Sequence, residues 1–387
     1  MTPQARAQAA IDILDQVIAS ARDDGPPADL LVSRYFKTRR YAGSKDRRAV
    51  RELVFQAIRA SDSPANGRSA LLTVEGATEW FDGSPHCPAP LADGEQAAEQ
   101  RVVPSWIEPL LSPRVTRDEW PALNERAPLD LRVNAARAER NALLEQFPGA
   151  VPTALSPWCL RLPTDSRVDN HPAFLAGLVE IQDEGSQLIA LACAPRDGEQ
   201  LIDLCAGAGG KALALAAAAP GASILASDSN RARLSQLAPR AERAGAAIDT
   251  LLINPPNEIE ELSGYVSNTD LVLVDAPCSG SGTWRRNPEG RWRLTPGRLD
   301  RLVEAQARLL DIGAALVRPG GRLVYAVCSL LSREGAGQIE AFLQRHSSWI
   351  RADIAITGGR EDGGGRLLSP AHDGTDGFFV ACLHRSC

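Results

Sequence analysis

The sequence lacks the features that would send it to a membrane, a metal or an oxidising compartment. Residues 1–10 hold no apolar stretch of the secretory type, and no later run approaches the roughly 20 apolar residues of a membrane span. The expectation is a soluble, cytoplasmic protein that makes no membrane contact. Its eight cysteines follow neither a metal-ligand repeat nor a disulfide framework. They are therefore expected as free thiols, and no metal is expected. No internal repeat is present. Positive charge is not in excess either: the formal net charge is −6, which by itself argues against nucleic acid. Binding depends on local patches, however, and two stand out. Residues 34–51 read RYFKTRRYAGSKDRRAVR and residues 284–301 read WRRNPEGRWRLTPGRLDR. Both combine arginine with aromatic rings, the pairing that serves phosphate contact and base stacking. A solvated helix face or a loop is the plainer alternative for each.

What is present is a chain of 387 residues, 44% of them hydrophobic, enough for two or three domains with a sizeable core. Apolar residues recur at helical spacing between Arg6 and Arg59 (Ile11, Leu14, Val17 and Ile18, then Val50, Leu53, Val54 and Ile58). Residues 60–100 are rich in Gly, Pro, Ser and acidic side chains and read as a loose connection. Residues 104–123 and 136–147 carry helical patterns, and residues 129–134 and 155–162 strand patterns. From about Gln182 the pattern becomes a regular alternation of strand and helix, with strands at 201–204, 223–227, 249–253, 271–274, 322–326 and 377–383. This predicts an α/β domain with a parallel, doubly wound, Rossmann-like sheet. The expected division is a helical region over 1–65, a linker over 66–103, a small α+β module over 104–175 and the α/β domain over 176–387.

Doubly wound sheets bind ligands at the carboxyl ends of their strands. The first such end reads Asp203-Leu-Cys205-Ala206-Gly207-Ala208-Gly209-Gly210-Lys211. Glycines between a strand and a helix N-terminus let bare amides approach a ligand. The spacing is neither the dinucleotide fingerprint nor a phosphate loop. Strand two ends in Asp228, a carboxylate placed to accept both hydroxyls of a ribose. Together these point to an adenosine-bearing cofactor. Asn254, at the end of strand three, either faces the adenine or serves the turn before Pro255-Pro256.

Strand four ends in Asp275-Ala-Pro-Cys278-Ser-Gly, and strand five in Tyr325-Ala-Val-Cys328-Ser. A lone cysteine is usually a small hydrophobe, but two at neighbouring strand exits beside a cofactor turn suit one chemistry. Carbon 5 of cytosine is a poor nucleophile until a thiolate adds to carbon 6. It then becomes an enamine-like carbon able to attack a methyl sulfonium. An acid near ring nitrogen 3 helps the addition, and Asp275 is placed for it. A second thiol would assist loss of the carbon 5 proton.

At these residues the sequence resembles the Nop/Sun (RsmB-like) family of RNA cytosine-C5 methyltransferases. The matching motifs are Gln182-Asp-Glu-Gly-Ser-Gln187, residues 205–211, residues 275–288, Pro319-Gly-Gly321, residues 325–329 and Asp373-Gly-Thr-Asp-Gly-Phe-Phe379. They span about half the chain. The resemblance implies a class I methyltransferase fold, with Cys328 as nucleophile and Cys278 as the cysteine that assists release. It implies that residues 205–211, Asp228, Asn254 and Asp275 line a pocket for S-adenosyl-L-methionine. It also implies an RNA substrate, ribosomal RNA of the 16S type first and transfer RNA second. Residues 1–65 resemble a NusB-like RNA-binding region, and the α+β module resembles the family's small RNA-binding module. Where the family usually has Thr before the catalytic Cys-Ser, this chain has Val327, and Asn254 stands where Asp is common.

Three rivals compete. An amino-methyltransferase would place an Asn-Pro-Pro string after strand four and end it in an aromatic, whereas here it follows strand three and ends in Asn257. A DNA cytosine methyltransferase would use Cys278 as nucleophile. A non-catalytic RNA-binding assembly factor would need neither cysteine nor Asp275.

Overall fold

Thr2 accepts a hydrogen bond from the Ala5 amide and Pro3 occupies the first helical position, so the chain enters a helix at once. The computed structural model describes residues 1–23, 25–164 and 166–387. Its elements in chain order are α1 (Pro3–Arg22), α2 (Ala28–Lys37), α3 (Ser44–Ala60), α4 (Gly67–Leu71), α5 (Trp120–Asn124), β1 (Leu129–Val133), α6 (Arg140–Leu144), β2 (Val151–Pro152), β3 (Cys159–Leu162), α7 (Pro172–Leu175), β4 (Val179–Ile181) and α8 (Glu184–Ala192). The α/β alternation follows as β5 (Gln200–Asp203), α9 (Gly210–Ala218), β6 (Ser223–Asp228), α10 (Arg231–Leu234), α11 (Leu237–Ala244), β7 (Asp249–Leu252), α12 (Glu258–Glu261) and β8 (Thr269–Asp275). The chain ends with α13 (Gly290–Arg293), α14 (Pro296–Leu316), β9 (Val317–Val327), α15 (Ala336–Arg345), β10 (Trp349–Ala352), β11 (Arg360–Asp362), β12 (Gly365–Leu368), α16 (Pro370–Asp373) and β13 (Phe378–Arg385).

The chain divides into two compact units. The first comprises Met1–Leu111, Arg117–Glu125 and Thr283–Arg298; the second comprises Ser112–Thr116, Arg126–Gly282 and Leu299–Cys387. In the first, the apolar stripes of α1 and α3 meet, burying Ile13, Leu14, Val17, Val50, Val54 and Ile58. The stretch expected as a linker contributes α4, and its Leu71, Ala77 and Phe81 are buried in this same core.

The second arginine-rich patch is not a free basic surface. Its chain is woven into the helical unit, where arginines satisfy bare carbonyls at the end of α3 and in the loops. Buried Arg291 donates to the carbonyls of Ile58 and Arg59 at 2.5 and 2.6 Å, and to that of Val102 at 2.9 Å. Arg293 donates to the carbonyls of Gly25 and Pro26, both at 2.8 Å. Trp284 is buried and the Trp292 indole donates to the Ser61 carbonyl.

The second unit holds two sheets. A small antiparallel sheet of order β2-β3-β1-β4 packs Leu131, Val133, Leu160 and Val179 with Leu143 and Phe147. The large sheet runs β11-β12-β13-β9-β8-β5-β6-β7, with β10 on β13. Strands β7, β6, β5, β8 and β9 are parallel, and the Leu, Ile and Val runs of β6, β5, β8 and β9 are buried, whereas β7 at the edge is exposed to half-buried. The all-parallel expectation is corrected at one edge, because β13 joins β9 antiparallel and β12, β11 and β10 extend from it in the same sense. Those three short strands carry too few alternating positions to be read from sequence. Three local expectations also change. Residues 104–123 form 3-10 turns at Glu108–Leu110 and Arg117–Glu119 before α5. The helix expected over 136–147 shrinks to α6, and only Cys159–Leu162 of 155–162 is strand. Proline at 104, 109, 113 and 157 withholds the amide that a longer element would need.

Candidate active site

Strand β5 lies between β6 and β8, so the strand order reverses there, and the carboxyl ends at such a reversal are where these sheets take ligands. The Gly-rich turn leaves β5 at that end. Gly209 caps α9 with φ of 82°, a conformation that disfavours a side chain. A Cβ on Gly207 would come within 2.2 Å of the Arg233 guanidinium. The turn is tied to β6, because the Gly207 amide donates to Asp228 Oδ2 at 2.7 Å and the Ala206 amide to the Ser227 carbonyl at 2.8 Å. Asp228 also accepts the Asn230 amide at 2.7 Å. Both of its oxygens keep a lone pair for a ribose.

A second anchor, not anticipated from sequence, comes from the small sheet. Arg132, on β1, is buried and donates to the Gly210 carbonyl at 3.3 Å. Burial pulls its guanidinium down to about 10, opposed by the charge of Glu180. Glu180, on β4, pairs with Arg240 and Arg243, and Arg240 donates to the Ala208 carbonyl at 2.5 Å. The antiparallel pairing of β1 with β4 brings Arg132 opposite Glu180.

Asp203, at the end of β5, is fully buried, and neither carboxylate oxygen has a well-formed hydrogen bond among the described residues. Burial first, and then the charge of Asp275, push its acid up to about 7. Burial also pushes the Cys205 thiol well up, with Asp203, Asp275 and Asp228 adding to it. Lys211 lies in the first turn of α9. Its Nζ meets Asp275 Oδ2 at 2.6 Å and lies 5.6 Å from the centre of the Phe378 ring. Burial alone would lower the Lys211 ammonium, but Asp275 outweighs it and holds the proton more tightly than usual.

The two cysteines meet. Asp275 ends β8 opposite Ala326 of the parallel strand β9, so the loops after these strands leave the sheet side by side. Cys278 Sγ lies 3.3 Å from Cys328 Sγ, and both are half-buried and free. The Gly282 amide donates to the Cys328 carbonyl at 3.1 Å, which ties the two loops together. The hydrogen bond to Cys328 first, and then burial, push the Cys278 thiol well above its usual range. Asn254 stands apart from this group. It is exposed at the end of β7, and its amide and Nδ2 both donate to Glu261, at 2.7 and 2.8 Å.

The arrangement is thus a thiol pair, a Lys–Asp pair and a Gly-rich turn tied to Asp228, all at the carboxyl ends of neighbouring strands. A family model described as 16S rRNA methyltransferase RsmB/F matches residues 190–384. The chain is 33% identical over 306 residues to the Ribosomal RNA small subunit methyltransferase B of Sodalis glossinidius (strain morsitans), covering 76% of this chain and 68% of that protein. Among solved structures, PH0851 aligns with a TM-score of 0.76 at 21% identity, covering 98% of this chain and 99% of the other. NSun6 from Pyrococcus horikoshii, solved with SFG, aligns with a TM-score of 0.64 at 17% identity, covering 73% and 97%. At these identities the two structures demonstrate a shared fold.

Proposed function

Because the chain belongs to the 16S rRNA methyltransferase RsmB/F family, we propose that it methylates carbon 5 of a cytosine in small-subunit ribosomal RNA through covalent attack by Cys328. It is an S-adenosylmethionine-dependent RNA methyltransferase. When bound, S-adenosylmethionine supplies an electrophilic methyl group. The residues present suit it: the Gly-rich turn 205–211 allows close approach and the Asp228 carboxylate faces the ribose, while Asn254 reaches the base only if it leaves Glu261. The orphaned oxygens of Asp203 suit the cationic end of such a molecule.

The observation that carries this reading is the 3.3 Å approach of the two sulfurs beside the Lys211–Asp275 pair. Cys328 as thiolate adds to carbon 6 of the cytosine. The displaced electrons pass to ring nitrogen 3, which takes a proton from the Asp275 carboxylic acid, and the Lys211 ammonium stabilises the carboxylate left behind. Carbon 5, now enamine-like, takes the methyl group. Once Cys328 is bonded to carbon, the largest cause holding the Cys278 proton is gone. Cys278 can then release that proton to solvent water, the one proton the overall reaction sets free, and its thiolate removes the proton on carbon 5. The C5–H electrons restore the C5=C6 bond, the C6–S bond breaks, and nitrogen 3 returns its proton. A base does this only after leaving its stack, which favours loops or regions open during assembly.

The RNA contact is assigned to the first basic patch. Arg34, Lys37, Arg40, Lys45, Arg47, Arg48 and Arg51 are exposed on α2, α3 and the turn between them. Tyr41 in that turn is 74% exposed, a ring free to stack.

Two variants test the chemistry. Cys328→Ala should abolish methylation while S-adenosylmethionine still binds; retained methylation ends the assignment. Cys278→Ala should leave a covalent RNA adduct on a denaturing gel, and normal turnover without adduct would make Cys278 structural. Bisulfite sequencing of RNA from a deletion strain should show a lost site in small-subunit ribosomal RNA; a loss confined to transfer RNA would redirect the substrate.

A further inference from the structure

Glu334 lies in the turn between β9 and α15, fully buried. Its Oε1 accepts the Ser279 amide at 2.8 Å and Gln306 Nε2 at 2.9 Å. Its Oε2 accepts the hydroxyls of Ser279 and Ser329, both at 2.5 Å. Ser279 follows Cys278 and Ser329 follows Cys328, so one carboxylate grips the residue after each cysteine. Gln306 also donates to the Pro277 carbonyl at 2.9 Å, tying in the residue before Cys278. Ser281 closes the cluster, with its hydroxyl 3.1 Å from that of Ser329 and accepting the Leu330 amide at 2.9 Å.

Among the described residues no cation pairs with Glu334. Burying a lone anion is costly even with good donors, and an apolar filling would hold two loops together more cheaply. A carboxylate here makes sense if the loops must be held in one register and the Cys278 thiol must feel a negative charge. We propose that Glu334 is a positioning residue for the methyl transfer, clamping the Cys278–Ser279 and Cys328–Ser329 turns so that the two sulfurs stay within hydrogen-bonding distance of each other. The inference rests on the reading of Cys328 as nucleophile and Cys278 as its partner. The charge works in the same sense as the clamp: it adds to the hydrogen bond that Cys278 donates to Cys328 and to the burial, which keep Cys278 protonated.

Glu334→Gln keeps the shape but removes the charge and presents a donor to donors. In the full-length protein, kcat should fall about 10- to 100-fold, the cost of a charge-assisted hydrogen bond. KM for S-adenosylmethionine and RNA should stay within about threefold. The second readout is alkylation by iodoacetamide, located by mass spectrometry. The wild type should label at Cys328 well before Cys278, and in Glu334→Gln the preference should shrink about tenfold, as one unit of thiol acidity implies. A merely structural role would lower the active fraction and expose buried Cys193 and Cys382, leaving the preference unchanged. If Glu334→Gln does not fold, the Ser279→Ala, Ser329→Ala double variant decides, with a comparable loss of kcat expected. A kcat within twofold of wild type in the folded variant, with the labelling preference intact, overturns the proposal. Cys328→Ala separates the two ideas. If it is inactive and Glu334→Gln is normal, only the clamp is wrong; if it is active, the nucleophile is wrong.

Discussion

Asp203 shows how much one buried side chain reveals about a site. Its acid stands at about 7 because burial and the neighbouring Asp275 oppose its charge. The folded protein therefore holds this proton up to a pH near 7, whereas the unfolded chain gives it up near pH ~4. A raised carboxylate contributes most to stability below the unfolded value and loses that contribution as pH rises through the folded one. Stability of the ligand-free protein should decline from this residue alone between pH ~4 and ~7. Asp203→Asn should flatten that decline, read as the change in urea midpoint between pH 5 and pH 7.5. An equal change in both proteins would show that Asp203 is not the group responsible. The same variant should weaken S-adenosylmethionine binding in calorimetry, because a neutral amide no longer answers a cation.

At the scale of elements, two arginine clusters hold pieces of chain that their own hydrogen bonds would not. The turn before α9 is braced by Arg240, which Glu180 keeps in place from β4. Glu180→Gln should loosen the turn and raise the Kd for S-adenosylmethionine about tenfold, the effect of one lost charge-assisted bond, with kcat little changed. Titration calorimetry checks it, and an unchanged Kd would mean that the turn is rigid without this brace. In the helical unit, Arg291 binds the last carbonyls of α3 and the Val102 carbonyl. Arg291→Ala leaves these buried acceptors bare and should destabilise this unit by about 2–3 kcal/mol. That loss should appear as an earlier loss of helix in denaturant, while S-adenosylmethionine binding persists.

For the whole molecule, a net charge of −6 coexists with a basic face on α2 and α3. Affinity for RNA then comes from local phosphate contacts, and each one adds about one unit to the dependence of log K on log salt. Arg40→Glu, Arg47→Glu and Arg48→Glu together should weaken RNA binding at least tenfold and lower the salt slope by about two to three. Binding of S-adenosylmethionine should be unaffected. Filter binding across a salt series measures this, and an unchanged slope would place the RNA elsewhere.

The sequence alone determined whatever depends on local periodicity and strand-end chemistry. The α/β alternation, the Gly-rich turn and the paired Asp275-Ala-Pro-Cys278 and Cys328-Ser329 ends were legible, because runs buried on both faces of a sheet leave a continuous apolar signature. Local periodicity did not reveal Glu334, six residues beyond Cys328, or the Glu180–Arg240 brace, since each joins segments dozens of positions apart. It misread residues 284–301 for the same reason: arginine on paper is a surface residue, but these guanidiniums answer bare carbonyls of distant segments. Only the tertiary structure decided that β8 and β9 run side by side, which places two cysteines fifty positions apart at hydrogen-bonding distance. Spacing along a chain specifies which atoms an element presents, and packing alone specifies which atoms meet.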